Sequence, residues 1–186
     1  MQAATMNNKQ NYGVTLIIGN TGCGKTTLAN KVLPKYKSNV LYYSGKVNNK
    51  LTLPFASSID KIKKGKWKLD RRCIKYDDFI SFCLKLQNTL IVLDDCRIFE
   101  KDRISENLAD LLICAREYRV EVIMIFQSFS YTPKEIFSYV NRIYAFKTTE
   151  DIDIVSKIPD KAKIIPAVNY LKNCDTHTML RIDMRD

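Results

Sequence analysis

With 186 residues and 46% apolar side chains, the chain has the size and composition of one globular domain and is too short for two ordinary ones. No apolar stretch approaches the roughly 20 residues of a membrane span, and residues 1–12 are polar, the composition of a flexible N-terminal arm rather than of a signal peptide. Thirty Lys and Arg against 20 Asp and Glu give a net charge of +10, while six scattered cysteines without a CxxC pair, beside the lone His177, argue against zinc and for reduced core thiols.

The first element is an apolar run at 14–18, read as a buried strand. It leads into Gly19-Asn20-Thr21-Gly22-Cys23-Gly24-Lys25-Thr26-Thr27, and a helical pattern at 25–33 follows, stopped by Pro34. Strand, glycine-rich turn and helix are the context in which GxxxxGK[ST], the Walker A pattern, forms a phosphate cradle. Backbone N–H groups converge on an oxyanion and the helix N-terminus adds partial positive charge. Lys25 then reaches the β- and γ-phosphates, and the Thr26 hydroxyl is a ligand for Mg²⁺, which takes hard oxygen donors. The nucleotide expected is a nucleoside triphosphate.

A second strand is expected at 40–44. The next 30 residues, about 46–75, break the alternation and read as an irregular insertion. They hold ten basic side chains against Asp60 and Asp70, so +8 of the net charge lies here, with the lone Trp67 among them. Lysines and arginines interleaved with an aromatic suit a polyanion, and Lys61, Lys63, Lys64, Lys66, Lys68, Arg71 and Arg72 are the candidate nucleic-acid contacts.

A helix is expected at 76–86 and a buried strand at 89–94, ending in Asp94-Asp95, the Walker B pattern. Carboxylates at the carboxyl end of such a strand stand where open α/β sheets bind ligands. Asp94 fits the partner of Mg²⁺ beside Thr26, and Asp95 the base that orients and deprotonates water. A helix at 105–119 buries Leu108, Leu111, Leu112 and Ala115 on one stripe. Arg116 and Arg119 at its end, with Arg97, are candidates for an arginine finger that enters a neighbouring subunit's site. The strand at 121–127 ends in Gln127, which is placed to sense the γ-phosphate. Helices at 133–140 and 151–158 and strands at 142–148 and 177–184 complete the chain. Strands of near-continuous Ile, Val and Leu alternating with helices predict α/β architecture, a mostly parallel sheet with helices on both faces, with residues 13–186 as a single P-loop domain.

Together IIGNTGCGKTTLA (17–29), LIVLDDC (90–96), AREYR (115–119) and VIMIFQSFSYTPKEIFSYVNRIYAFKT (122–148) resemble the HerA–FtsK superfamily of P-loop ATPases, particularly its viral genome-packaging branch. The tail from Pro166 to Met184 is similar to the family's closing helix and strand. The resemblance implies a RecA-like sheet with an additional strand, in which the Gln127 strand lies between the phosphate-loop strand and the Asp94 strand. It implies Arg116 as the finger, a homo-oligomeric ring of five or six subunits, and ATP hydrolysis with Mg²⁺ that drives double-stranded DNA into a capsid. A portal or vertex protein is then a partner, without stable membrane insertion, and the place of action is the host cytoplasm and the virion packaging vertex. Asp95 departs from the Glu that many relatives carry, and is one methylene shorter. Two other functions fit a phosphate loop in a chain of this length. A nucleotide kinase needs an arginine-rich lid and an acceptor pocket, whereas a non-catalytic, nucleotide-gated DNA-binding or assembly protein predicts a degraded site, and here Lys25, Thr26, Asp94 and Asp95 are all intact.

Overall fold

The structure, a computed structural model, describes residues 12–46, 51–100, 103–151, 155 and 158–185. Seven strands form one sheet: β1 (Gly13–Ile18), β2 (Asn39–Ser44), β3 (Lys66–Asp70), β4 (Thr89–Asp94), β5 (Glu121–Phe126), β6 (Val140–Phe146) and β7 (Met179–Asp183), in the order β3-β2-β4-β5-β1-β6-β7. Every neighbouring pair is parallel except β6 and β7. The Gln127-bearing strand β5 thus lies between β1 and β4, as the resemblance implied.

The central strands are buried along their whole length because both faces are covered. Val14, Leu16 and Ile18 of β1 join one core with Phe79 and Ile80 of α2 (Tyr76–Cys83), Leu108 and Leu111 of α3 (Glu106–Cys114), and Ile164 and Val168 of α4 (Lys161–Lys172). Ile17, one residue out of phase, points to the other face, where Ala29 of α1 (Lys25–Val32), Leu33, Leu51 and Leu53 cover it. The period of two along a strand thus divides one apolar run between two cores. Among the described residues α2, α3 and α4 cover one face and α1 the other.

The segment 46–75 differs from the irregular insertion expected of it. Its Lys66–Asp70 is the outermost parallel strand, with Trp67 opposite Leu41 and Lys68 opposite Tyr42. The outer side of β3 is itself closed by the chain before it, since Ala56 N–H donates to Lys68 O at 2.9 Å and Lys68 N–H to Pro54 O at 2.8 Å. α4 corresponds to the closing helix that the resemblance implied from Pro166 onward but starts earlier, at Lys161; Pro166 sits inside it, which hides it from a periodicity reading. The helix expected at 105–119 ends at Cys114, and Arg119 takes a left-handed φ of 54° that turns the chain into β5. At 133–140 a 3₁₀ turn, Lys134–Ser138, replaces the expected helix and β6 begins at Val140. The expected arm at 1–12, except Tyr12, and most of the expected helix at 151–158 lie outside the described residues.

Candidate nucleotide-hydrolysis site

The loop after β1 is anchored to its neighbours on both sides: Gly19 N–H donates to Phe126 O at 3.3 Å and Asn20 N–H to Lys147 O at 3.2 Å. Gly22 and Gly24 take φ of 85° and 102°, values at which a Cβ is strained. Gly24 is also the N-cap of α1, and no side chain caps the helix. First-turn N–H groups have no intrahelical acceptor, so those of Lys25 and its successors face the mouth of the loop. An anion fits this cradle. Lys25 Nζ curls over the same rim and donates to Gly19 O and, at 2.8 Å, to Asn20 O. Cys23 is fully buried beneath it. His177, in the turn between α4 and β7, comes so near that a Cβ on Gly24 would meet its ring at 3.3 Å; sequence reasoning gave His177 no role here.

Asp94 ends β4, and each of its oxygens is held. Tyr42 Oη donates to Oδ2, and Asp95 N–H donates to Oδ1 at 2.9 Å. Burial pushes the Asp94 carboxyl above its ordinary value, with Asp95 adding to the effect, while the Tyr42 hydroxyl and the Lys25 charge oppose it. A cation beside it restores the ionised form. The donors expected for Mg²⁺, the Thr26 hydroxyl and the Asp94 carboxylate, are hard oxygens of the right kind. Thr26 and Asp94 would hold Mg²⁺ together with nucleotide oxygens and water, as this ion usually keeps several waters beside one or two protein ligands. The ion would supply Lewis-acid stabilisation of phosphoryl oxygens.

Asp95 adopts a left-handed φ of 54°, which an Asp tolerates better than most residues. The bend turns its carboxylate to the end of β5, where Gln127 Nε2 donates to Oδ1 at 3.3 Å. Lys46 Nζ stands 3.9 Å from the same oxygen. Asp95, Gln127, Lys46 and Arg97 line one cleft of about 120 Å³. The 3₁₀ turn beyond Asp95, Cys96–Ile98, is fastened by an aromatic cluster: Phe99 stacks on Tyr76 at 4.4 Å, and Tyr43 stacks on Phe79 at 4.6 Å. Such pairs contribute about 0.5–1.5 kcal/mol each beyond their buried area. The strained residue is thereby fixed from the rear.

The loop after Gln127 is held too. The buried Glu150 accepts from Phe129 N–H at 2.7 Å and Ser130 N–H at 2.6 Å, one carboxylate oxygen each. Tyr131 in that loop carries the Arg97 guanidinium 3.3 Å above its ring centroid. Of the three arginines singled out in the sequence, Arg97 therefore lies at the cleft. Arg116 and Arg119 precede β5 and so lie at the amino ends of the parallel strands, the edge opposite the phosphate loop. A six-residue strand separates the two edges by about 20 Å. Both arginines are exposed.

The basic residues of β3 and its flanks divide into two sets. Lys66 Nζ donates to Pro34 O, Lys68 Nζ to Leu51 O at 2.5 Å, and Lys61 Nζ to Ser57 Oγ at 2.9 Å. Arg72 is bidentate to Asp70, which holds that carboxyl below its ordinary value. Lys63, Lys64 and Arg71 are exposed.

A mostly parallel sheet with the phosphate loop after β1, paired carboxylates after β4 and an amide after the strand between them defines the RecA-like P-loop NTPase fold. No family model and no curated protein sequence matches the chain. Solved structures do. The genome packaging NTPase B204 from Sulfolobus turreted icosahedral virus 2, in complex with AMPPCP, is similar with a TM-score of 0.76 over 96% of this chain and 94% of that one, at 17% identity. The DNA-packaging ATPase B204 from Sulfolobus Turreted Icosahedral Virus gives 0.71 over 92% of each chain, also at 17%. The N-terminal domain of zonular occludens toxin from Neisseria meningitidis gives 0.50 at 16% identity, over 74% of this chain and 78% of that one.

Proposed function

We propose that this chain is an ATP-hydrolysing motor that translocates double-stranded DNA into a viral capsid. The observation that carries the hydrolytic part is the Asp95–Gln127 pair in the cleft at the end of β4 and β5. A carboxylate and an amide so joined suit the orientation of a water for in-line attack on the γ-phosphate, with Asp95 taking its proton and Gln127 reporting the third phosphate. Lys25 stabilises the charge that develops on the transferred group. The packaging part is supported by the likeness to B204 over nearly the whole chain and by the basic segment at 46–75.

In this reading the site is completed between copies. Arg116, on the edge away from its own phosphate loop, serves a neighbour in a ring of five or six, where such a group is worth about 10³–10⁵ in rate. The ring acts at a portal or vertex protein, in the host cytoplasm and at the packaging vertex. Lys63, Lys64 and Arg71 are the exposed cations best placed to meet DNA phosphates.

The test is steady-state ATP hydrolysis with and without double-stranded DNA for the wild type, Lys25→Ala and Arg116→Ala. DNA-stimulated turnover is expected, lost in both variants and partly restored when Arg116→Ala is mixed with wild type. Turnover indifferent to DNA and to Arg116 overturns the motor, and phosphoryl transfer to a nucleoside monophosphate would mark a kinase instead.

A further inference from the structure

We propose that Tyr42 is a positioning residue for the divalent cation, acting through Asp94; the inference rests on the reading that the site binds nucleotide with Mg²⁺. Tyr42 lies on β2 directly opposite Val92 of β4, two residues before Asp94, and its side chain is buried to 1% exposure. From there its hydroxyl reaches the Oδ2 of Asp94, while Asp95 N–H takes Oδ1 at 2.9 Å. Two donors on two oxygens fix both the plane and the tilt of the carboxylate. An ionised carboxylate has about four acceptor positions on its two oxygens, so two donors do not by themselves exhaust it. Mg²⁺ demands near-ideal octahedral geometry, and a carboxylate already oriented loses less freedom when it binds.

A bland alternative is that Asp94 merely satisfies a buried phenol. The neighbouring residue separates the two. Tyr43 is equally buried, points to the other face of the sheet, and donates to Ile74 O at 3.0 Å. Removing its hydroxyl costs a buried hydrogen bond without touching Asp94.

Tyr42→Phe and Tyr43→Phe are therefore compared with wild type in the full chain. The readouts are Mn²⁺ binding by electron paramagnetic resonance in the presence of ADP, ADP affinity without metal, and thermal unfolding. Loss of an outer partner of a metal ligand typically weakens metal affinity about 10- to 100-fold. We expect the Mn²⁺ Kd of the ADP complex to rise about tenfold or more in Tyr42→Phe and to stay within about twofold in Tyr43→Phe, with metal-free ADP affinity kept in both. A Mn²⁺ Kd in folded Tyr42→Phe within about twofold of wild type overturns the proposal. If Tyr42→Phe does not fold, ortho-fluorotyrosine at position 42 keeps the shape and strengthens the donor; an altered Mn²⁺ Kd then supports the proposal and an unaltered one overturns it. Failure of the wild type to bind ADP at all strikes instead at the nucleotide reading beneath it.

Discussion

Gln127 Nε2 and Asp95 Oδ1 stand 3.3 Å apart, joining the carboxyl ends of two neighbouring parallel strands across the cleft. In the proposed mechanism Asp95 has the capacity to take the proton of the attacking water, and the amide, an uncharged donor, orients it. Asp95→Asn removes that capacity and keeps the shape. Its kcat is expected to fall about 10²–10⁴-fold, the usual contribution of a positioned base, with nucleotide affinity little changed. Gln127→Glu sets a like charge against Asp95 and is expected to lower kcat more than Gln127→Ala. Single-turnover hydrolysis alongside equilibrium nucleotide binding measures both.

The phosphate loop tolerates little added volume. A Cβ at Gly19 would lie 2.5 Å from Phe146 Cβ and 2.8 Å from Cys23 Sγ, so Gly19→Ala is expected to destabilise the chain by about 1–3 kcal/mol through overpacking. Gly24→Ala meets His177 less severely, at 3.3 Å, but must hold a φ of 102°, which costs about 1–2 kcal/mol of backbone strain. Urea unfolding at neutral pH reads each loss.

Glu121, at the amino end of β5, supplies a pH signature away from the site. Burial pushes its carboxyl above the ordinary 4.5, against the Tyr36 hydroxyl that donates to it at 2.5 Å and the charge of Arg142. With the folded pKa raised, the native state binds more protons than the unfolded state between 4.5 and the folded value. Stability from this group is therefore full below 4.5 and declines as pH rises through the folded pKa. Glu121→Gln is expected to flatten that decline, so that the melting temperatures of variant and wild type diverge between pH 4.5 and neutrality in the variant's favour.

The two sets of basic residues make opposite predictions. Lys63→Ala, Lys64→Ala and Arg71→Ala together are expected to flatten the dependence of DNA affinity on salt, by about 0.9 in the log–log slope for each phosphate left without its cation. Thermal stability should hardly move. Lys66→Ala and Lys68→Ala remove donors to Pro34 O and Leu51 O and are expected to lower the melting temperature instead. DNA binding titrated at several salt concentrations, with a melting curve for each variant, tells the sets apart.

Much of the fold was legible because buried parallel strands announce themselves. Val14–Ile18, Leu90–Leu93 and Val122–Phe126 read as continuous apolar runs, and the nine-residue loop specified its own turn between β1 and α1. β3 was not, since Lys66-Trp67-Lys68-Leu69-Asp70 looks like a charge run. Its lysines lie along the sheet and end on main-chain carbonyls, a pairing set by chain 17 and 32 residues away. Within the site the catalytic candidates were legible and their supports were not. Tyr42 meets Asp94 across 52 residues and Glu150 meets Phe129 across 21, and neither pair leaves a local pattern. Helix α3 was overextended because Ala115–Arg119 are good helix formers; the left-handed turn at Arg119 answers to the start of β5 rather than to propensity.

The closure of β3 by Pro54–Ala56 has a consequence for how copies can meet. The segment is held to β3 through one residue, Lys68, whose N–H and C=O it takes. A strand from another copy could pair along this rim only by displacing it, so contact between copies through this edge competes with a contact inside the chain.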